Sequence, residues 1–510
     1  MIRYWLWVLA AFLGFGIFNV FGQTNSVPLA QQRWFETRTA HFNVYSSGAP
    51  QDVYKLAARL EQFCEAYALL AGTQSVASPP IVVMAFPNHE TMTPFLPLYQ
   101  GRPANLAGFF QRNSDENLIV LALPGKNSAS AGLEVIFHEY THLLMRRNDR
   151  IWPLWLKEGM AEMYSTFETT GGYSVRIGLP IEHHLQLLAR EPLMPLAELF
   201  SVTPDSPQYN ERSHQGIFYA ESWLLTHFLM AGDNPVYRAR FGQFTKLLRE
   251  GEFPGQAFTN ALQTTLPQME NELRRYLKRG QFEPVQFSLS ADISAPKVLM
   301  TRQITPVEID FRLGDELLRI DRLNAAQFYF SQAQKIAPAS PLPYEGLGLL
   351  AARRDQSAEA ARELKEALQH GSASFLAHYI YARERYRLTA DSQERYAPLK
   401  KEDAAEICGE LQTSISLMPN FAPAHELLGF FEMVQGENLA LAEQQLRLAI
   451  QLEPENPAYL FSLAQAQLRN NDSNSARLTL QPLLLPNVET NLRAHAEEML
   501  REIDKQNPVR

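Results

Sequence analysis

The 510-residue chain carries only two cysteines, Cys64 and Cys408. That scarcity argues against a disulfide framework, and neither cysteine has the spacing of a thiolate metal site. No Walker loop and no G-x-G-x-x-G after a strand is present, so nothing points to a phosphate cradle. Cationic excess is absent too: 46 Lys and Arg stand against 55 Asp and Glu, a net charge of −9. With no basic stripe interleaved with aromatics, nucleic acid is excluded as a partner. Beyond the N-terminus no apolar run is long enough to cross a bilayer. What remains is ordinary globular material, 46% hydrophobic and 20% charged, enough for two or three domains.

The one long apolar run lies at the start. Met1-Ile2-Arg3 is a short positive region, Tyr4 to Phe21 is almost wholly apolar, and Val20-Phe21-Gly22 offers a small-residue cleavage context. Residues 1–22 therefore read as a signal peptide, and the mature chain as exported, periplasmic or extracellular. No cysteine follows to take a lipid. The run is near the length of a bilayer span, so an uncleaved anchor stays open, and with it a membrane association.

The motif that carries chemistry is His138-Glu139-Tyr140-Thr141-His142, an H-E-x-x-H sequence. On a helix, residues four apart share a face, so His138 and His142 can grip one metal ion. Glu139, one residue round, can reach a water on that ion and act as general base. Leu133, Ile136, Phe137, Leu143 and Leu144 give the helix an apolar face. The bland alternative is a buried helix whose histidines make ordinary hydrogen bonds. A second segment, Trp155-Leu156-Lys157-Glu158-Gly159-Met160-Ala161-Glu162, follows Pro153, which suits a first helical turn. Glu158 and Glu162 are again four apart. Two His and one Glu with an open fourth position is the hydrolytic Zn²⁺ arrangement. Glu158 is the expected third ligand and Glu162 the carboxylate that orients a ligand imidazole. Reversed roles, or carboxylates that merely face solvent, remain open at this point.

H-E-x-x-H followed by W-L-x-E-G-x-A-E resembles the gluzincin metallopeptidases, and most of all bacterial peptidase MA-like domains. The zinc aminopeptidases and thermolysin are similar at greater distance. The resemblance spans roughly residues 34–280, but only the two motifs are sharp. It implies Glu158 as third ligand. The connection from His142 to Glu158 is shorter than in the aminopeptidases and thermolysin, which touches substrate preference more than metal binding. The resemblance also implies a tyrosine at the start of a downstream helix that donates to the oxyanion. Tyr219, in the apolar stretch Gly216 to Leu225, matches it. A plain core tyrosine is the competing reading. His214 is a second candidate for that task, read as lying in a polar loop. His183 and His184, being adjacent, read as surface.

Around the motifs, strands are expected at 40–46, 80–86, 106–112 and 116–123, with a helix over 53–71. The last strand is expected to be a sheet edge along the cleft, suited to pairing with an extended peptide. Residues 152 to about 279 read as mostly helical. Residues 281–304 hold strand-like pieces and read as a linker.

Thr305-Pro306-Val307-Glu308 is a helix start of the capping-box kind. Beyond it Gly314, Ala326, Phe330, Ala333 and Pro338 occupy small and aromatic positions. The pattern returns one repeat length later at Gly348, Ala360, Leu364 and Ala367. A phase continues through Ala382, an insertion near 389–401, then Gly429, Ala442, Leu446 and Ala449, then Ala464, Ala476 and Leu480. This resembles the tetratricopeptide family. It implies a stack of helical hairpins over 305–490, capped by a helix in 491–510, with a surface for a protein or peptide partner or a spacer role.

The expected fold class is thus an α+β zincin-like metallopeptidase domain (31–280), then an all-α tetratricopeptide-repeat solenoid. The expected function is an exported zinc metallopeptidase acting on peptide or protein substrate. The alternative is a non-catalytic repeat scaffold with a relic or structural zinc site. Glu139 favours the enzyme, because a degenerate site usually loses its base.

Overall fold

The computed structural model of the protein describes residues 29–71, 81–123, 131–145, 152–171, 173–210, 212–289, 298–390, 396, 398–454, 456–485 and 488–506. The signal-peptide reading of 1–22 lies outside the described residues. Among the described residues, no helix is long and apolar enough to cross a membrane. The described residues divide into two compact units, one of residues 33–303 and one of residues 304–506 that also takes in 29–32.

The first unit opens with β1 (Phe35–Arg38), β2 (Phe42–Ser46), α1 (Pro50–Ala71) and β3 (Ile81–Phe86). Then come α2 (His89–Met92), a small hairpin of β4 (Leu98–Tyr99) and β5 (Arg102–Pro103), and the pair β6 (Gly108–Gln111) and β7 (Leu118–Ala122). Helices α3 (Ala131–Met145) and α4 (Leu154–Ser165) precede β8 (Glu168–Thr170) and β9 (Ser174–Ile177). After them run α5 (Glu182–Arg190), α6 (Leu196–Ser201), α7 (Pro207–Asn210), α8 (Arg212–Ala231), α9 (Pro235–Arg249), α10 (Pro254–Leu262) and α11 (Leu266–Arg279). The unit ends with β10 (Val285–Ser288) and β11 (Met300–Gln303).

The main sheet has six strands in the order β11-β1-β2-β3-β7-β6. β2, β3 and β7 run parallel; β1, β6 and β11 are antiparallel to their neighbours. β3 reads IVVMAF and is buried at every position, as an unbroken apolar strand must be when layers cover both faces. Helix α1 buries Val53, Leu56, Ala57, Leu60, Phe63, Cys64 and Tyr67 at helical spacing. Phe63 stacks on Phe137 of α3 at 4.4 Å between ring centroids, which ties α3 into the core.

Two expectations are corrected here, and one is refined. The last strand of the hairpin is not the edge: β7 pairs with β3 on one side and β6 on the other, so β6 is the edge, and α3 packs against it. The stretch expected as mostly helical is so, with β8 and β9 between α4 and α5. Residues 281–304 are no linker, because β10 pairs with β9 and β11 pairs with β1 from Phe35↔Gln303 to Arg38↔Met300. A segment that completes two sheets belongs to the fold it completes.

The second unit is an all-α solenoid of stacked helical hairpins. Thr305 and Glu308 form the capping box at its first helix: Thr305 Oγ1 accepts from the Glu308 N–H at 3.4 Å, and the Glu308 carboxylate accepts from the Thr305 N–H at 2.7 Å. Five helical hairpins follow, α12 (Pro306–Arg319) with α13 (Leu323–Ile336), α14 (Pro341–Arg353) with α15 (Ser357–Gln369), α16 (Phe375–Arg387) with α17 (Lys401–Leu417), α18 (Ala422–Gln435) with α19 (Leu439–Leu452), and α20 (Pro457–Arg469) with α21 (Ser473–Leu480). α22 (Thr490–Gln506) closes the array, burying Ala496 and Ile503 against Ala464, Ala476, Leu480 and Leu483.

The repeat residues do what close packing requires. A Cβ on Gly314 would lie 2.6 Å from the Phe330 ring, one on Gly348 2.5 Å from Leu364, and one on Gly429 2.7 Å from Leu446. Each glycine lets the two helices of its hairpin approach. The turns repeat as well: Asp321 and Asp355, at φ 60° and 58°, accept from Arg353 and Arg387 of the following repeat at 2.8 and 3.5 Å.

Candidate metal centre

Helix α3 turns Leu133, Ile136, Phe137 and Tyr140 into the core, which fixes its rotation and presents His138 and His142 together on another face. Helix α4 is almost entirely buried. Its Trp155 stacks on Phe200 at 5.0 Å and Phe244 at 6.1 Å, with Phe258 edge-on at 6.2 Å. Pro153 caps α4 in extended conformation, just ahead of the first turn. Gly159 then crosses α8 so closely that any Cβ there would overlap the Ser222 carbonyl and Thr226 Oγ1. These constraints aim Glu158 and Glu162, 4% and 8% exposed, at the two histidines.

Three donor atoms converge. His138 Nε2 and His142 Nε2 are 3.2 Å apart, and Glu158 Oε2 is 3.4 Å from the first and 3.3 Å from the second. Zinc ligands at about 2.0–2.1 Å in tetrahedral geometry stand ~3.3 Å from one another, so the triangle has the size of one face of a zinc tetrahedron. Glu158 Oε2 is buried and has no hydrogen-bond partner, a costly state for a carboxylate oxygen unless a cation meets it. The electrostatics agree. Burial works to lower the affinity of His138 for a proton, yet the carboxylates of Glu162, Glu158 and Glu139 raise its pKa to about 9. Burial works against the Glu158 carboxylate, yet His142 and His138 hold its pKa well below the usual range. A pocket that draws positive charge this strongly, with N, N and O donors, fits a zinc ion.

A second cluster, His41, Glu61 and Cys64, is different in kind. His41 Nδ1 and its backbone N–H sit 2.7 and 2.9 Å from Glu61, and Cys64 Sγ lies 3.1 Å from the Tyr140 hydroxyl. Those are hydrogen-bond spacings in a satisfied network, and burial keeps the thiol protonated.

Of the expected residues, His138, His142 and Glu158 are thus brought together, with Glu162 behind them: its Oε1 is 3.4 Å from His138 Nδ1. Glu139 is half-buried and close enough for its charge to act on His138 and on Tyr209. His142 keeps 27% of its side chain exposed, so the centre opens to solvent on that side. Tyr219 is buried, its ring 6.3 Å from that of His138.

Two participants were not foreseen. Tyr209, on the short α7, donates its hydroxyl to Glu158 Oε1 at 3.3 Å, hydrogen-bonds Tyr219 and stacks on it at 6.1 Å. Nothing in its sequence context signals this. His184, read as surface, is 2% exposed, and its Nε2 lies 3.2 Å from Glu162 Oε2. Here a signal existed: Leu188, one helical turn on, shares its face of α5 and is buried. His183 is exposed, as expected. His214 falls within α8 and not in a loop; its side chain lies outside the described residues.

No family model matches the sequence. No curated protein matches it either. Among solved structures the chain is similar to YrrB, a TPR protein described as having an unusual peptide-binding site, at 16% identity and a TM-score of 0.31, over 37% of this chain and 91% of that one. It is similar to a thermophilic TPR protein of Thermus thermophilus at 22% identity and 0.29, over 38% and 99%. PilW, a type IV pilus biogenesis factor, is similar at 16% and 0.31, over 40% and 92%.

Proposed function

We propose that the first unit is a zinc-dependent metallopeptidase of the gluzincin, peptidase MA-like type, built on a zincin-like α+β fold. The observation that carries this is the triangle of His138 Nε2, His142 Nε2 and Glu158 Oε2, with 3.2–3.4 Å edges and a buried carboxylate oxygen that makes no hydrogen bond. Zinc held there supplies a Lewis acid for a peptide carbonyl and a lowered pKa for a water. The protein's own groups do the rest. Glu139 takes the proton of the attacking water and delivers it to the leaving amine. Glu162 accepts from the Nδ1–H of His138 and so keeps Nε2 free and aimed. Tyr219 faces the centre beside His138, where a phenol can donate to the oxyanion as it develops. Edge strand β6, packed on α3, leaves a row of backbone groups for an extended peptide.

The second unit serves, in this reading, to hold a protein or peptide partner, and the chain as a whole acts outside the cytoplasm. Metal analysis of the purified protein, paired with peptide-library cleavage by wild type and Glu139→Gln, tests the enzyme. Absence of zinc, or equal cleavage by both proteins, overturns it.

A further inference from the structure

We infer that His184 is a positioning residue of the metal centre, acting on His138 through Glu162. The inference rests on the zinc reading above and adds a member to the site. Its basis is a chain of three side chains from three helices. His138 (α3) offers Nδ1 to Glu162 Oε1 at 3.4 Å, and Glu162 (α4) offers its other oxygen, Oε2, to His184 Nε2 (α5) at 3.2 Å. All three are buried, at 6%, 8% and 2% exposure. His184 is walled by Trp223, ring to ring at 6.3 Å, and α5 packs along α8. Among the described residues neither ring nitrogen of His184 makes a hydrogen bond, and the Nε2 contact with Glu162 is an ion-pair contact.

A carboxylate held at one oxygen can still swing about its terminal torsion, which is broad and two-fold. Held at both oxygens by rings from different helices, it cannot. The consequence passes inward: the His138 ring is fixed about Cβ–Cγ, and its Nε2 lone pair points into the donor triangle. A ligand histidine usually gives its second N–H to a carboxylate, and loss of such outer partners weakens metal binding about 10–100-fold. Here the carboxylate's outer oxygen is itself claimed, so the effect extends to a residue that never approaches the metal. His184 needs one proton, on Nε2, to do this.

The test uses the full-length protein and zinc itself, with affinity read by competition against a chelator and thermal unfolding of the metal-free protein as the folding control. In His184→Gln the amide nitrogen reaches the place of Nε2; in His184→Asn it stops short. Wild type should load one zinc, His184→Asn should bind it about 10–100-fold more weakly, and His184→Gln should recover most of that loss. The double variant Glu162→Gln/His184→Asn should bind no more weakly than Glu162→Gln alone, because His184 acts through Glu162. Unchanged affinity in His184→Asn, equal loss in Asn and Gln, or additive losses in the double variant overturns the inference and leaves the zinc reading standing. A wild type that loads no zinc overturns both.

Discussion

Glu158 Oε2 stands 3.3 Å from His142 Nε2, buried and without a hydrogen bond, though the two residues sit on different helices. Leaving a buried carboxylate oxygen unsatisfied costs about 1–3 kcal/mol or more for a charged group. The proposed zinc would meet that oxygen as one of its three donors. The expected outcome is one zinc per chain by elemental analysis. His142→Ala and Glu158→Ala should each lose most of it, while His183→Ala, at an exposed position, should keep it. Undiminished zinc in His142→Ala would refute the assignment.

Glu139 is beside the donors without being one of them. Glu139→Gln should therefore load zinc like wild type and lose most turnover, since no base remains. Tyr219→Phe should keep zinc and lower kcat by about 10²–10³-fold if its phenol serves the oxyanion. Tyr209→Phe separates the two phenols: it removes a hydrogen bond to Glu158, so it should loosen zinc more than it lowers kcat at saturating metal. Zinc content and kcat, measured on the same preparations, check all three.

Much of this centre was legible because the chemistry is local. His138 and His142 lie one helical turn apart, and Glu158 and Glu162 repeat that spacing, so each pair declares its own face. The repeat array was legible for a similar reason: Gly314, Gly348 and Gly429 mark the same close approach in successive hairpins. What escaped was long-range pairing. β11 meets β1 from the opposite end of the first unit, Gln303 against Phe35, and a short strand of modest propensity cannot announce so distant a partner. Tyr209 and His184 escaped because their importance comes from what tertiary packing sets beside them. Adjacent histidines look alike in sequence, yet His184 turns inward and His183 outward.

Gly159 has a structural reason that its neighbour Glu158 depends on. α4 and α8 cross where a Cβ would overlap the Ser222 carbonyl and Thr226 Oγ1. Backbone cannot yield as a side-chain tip can. Gly159→Ala should destabilise by about 1–3 kcal/mol, the usual cost of overpacking, and should loosen zinc by moving Glu158. Urea unfolding and chelator competition read the two effects. A Gly159→Ala protein as stable and as tight as wild type would show that the crossing is looser than described.

Two groups on α8 give the first unit a pH profile. Glu221 is 1% exposed, and burial raises its pKa to about 8 despite the Met194 N–H donated at 2.6 Å. Its unfolded value is near 4.5, so the folded state keeps the proton that the unfolded state releases. The stability this represents is full below pH 4.5 and is lost as pH rises towards 8. His227 is opposite in sign: burial lowers its pKa from 6.5 to about 4, so its contribution is present above pH 6.5 and lost as pH falls towards 4. Glu221→Gln keeps the acceptor for Met194 and cannot ionise. Its Tm should match that of wild type near pH 4.5 and exceed it near pH 8, by on the order of 5 °C. Parallel Tm curves from pH 4.5 to 8 would contradict the assignment.

The position of β11 decides where the chain can be cut. Contacts in the repeat array run between neighbouring hairpins, and α22 covers the last of them, so residues 304–510 hold their own core. That fragment should be soluble, highly helical by circular dichroism and free of zinc. The first unit is less forgiving. A fragment of residues 23–303 retains β10 and β11 and should bind one zinc. One ending at residue 280 lacks both strands. It leaves β1 as a bare edge, and Glu36, fully buried in the intact sheet, loses Arg302 at 2.7 Å. An uncovered edge is a template for association, and a buried carboxylate deprived of one of its cations is costly. The shorter fragment should therefore aggregate or melt far below the longer one. Size-exclusion chromatography, circular dichroism and zinc content on the three fragments check this, and a 23–280 fragment as stable as 23–303 would return residues 281–303 to the status of a linker.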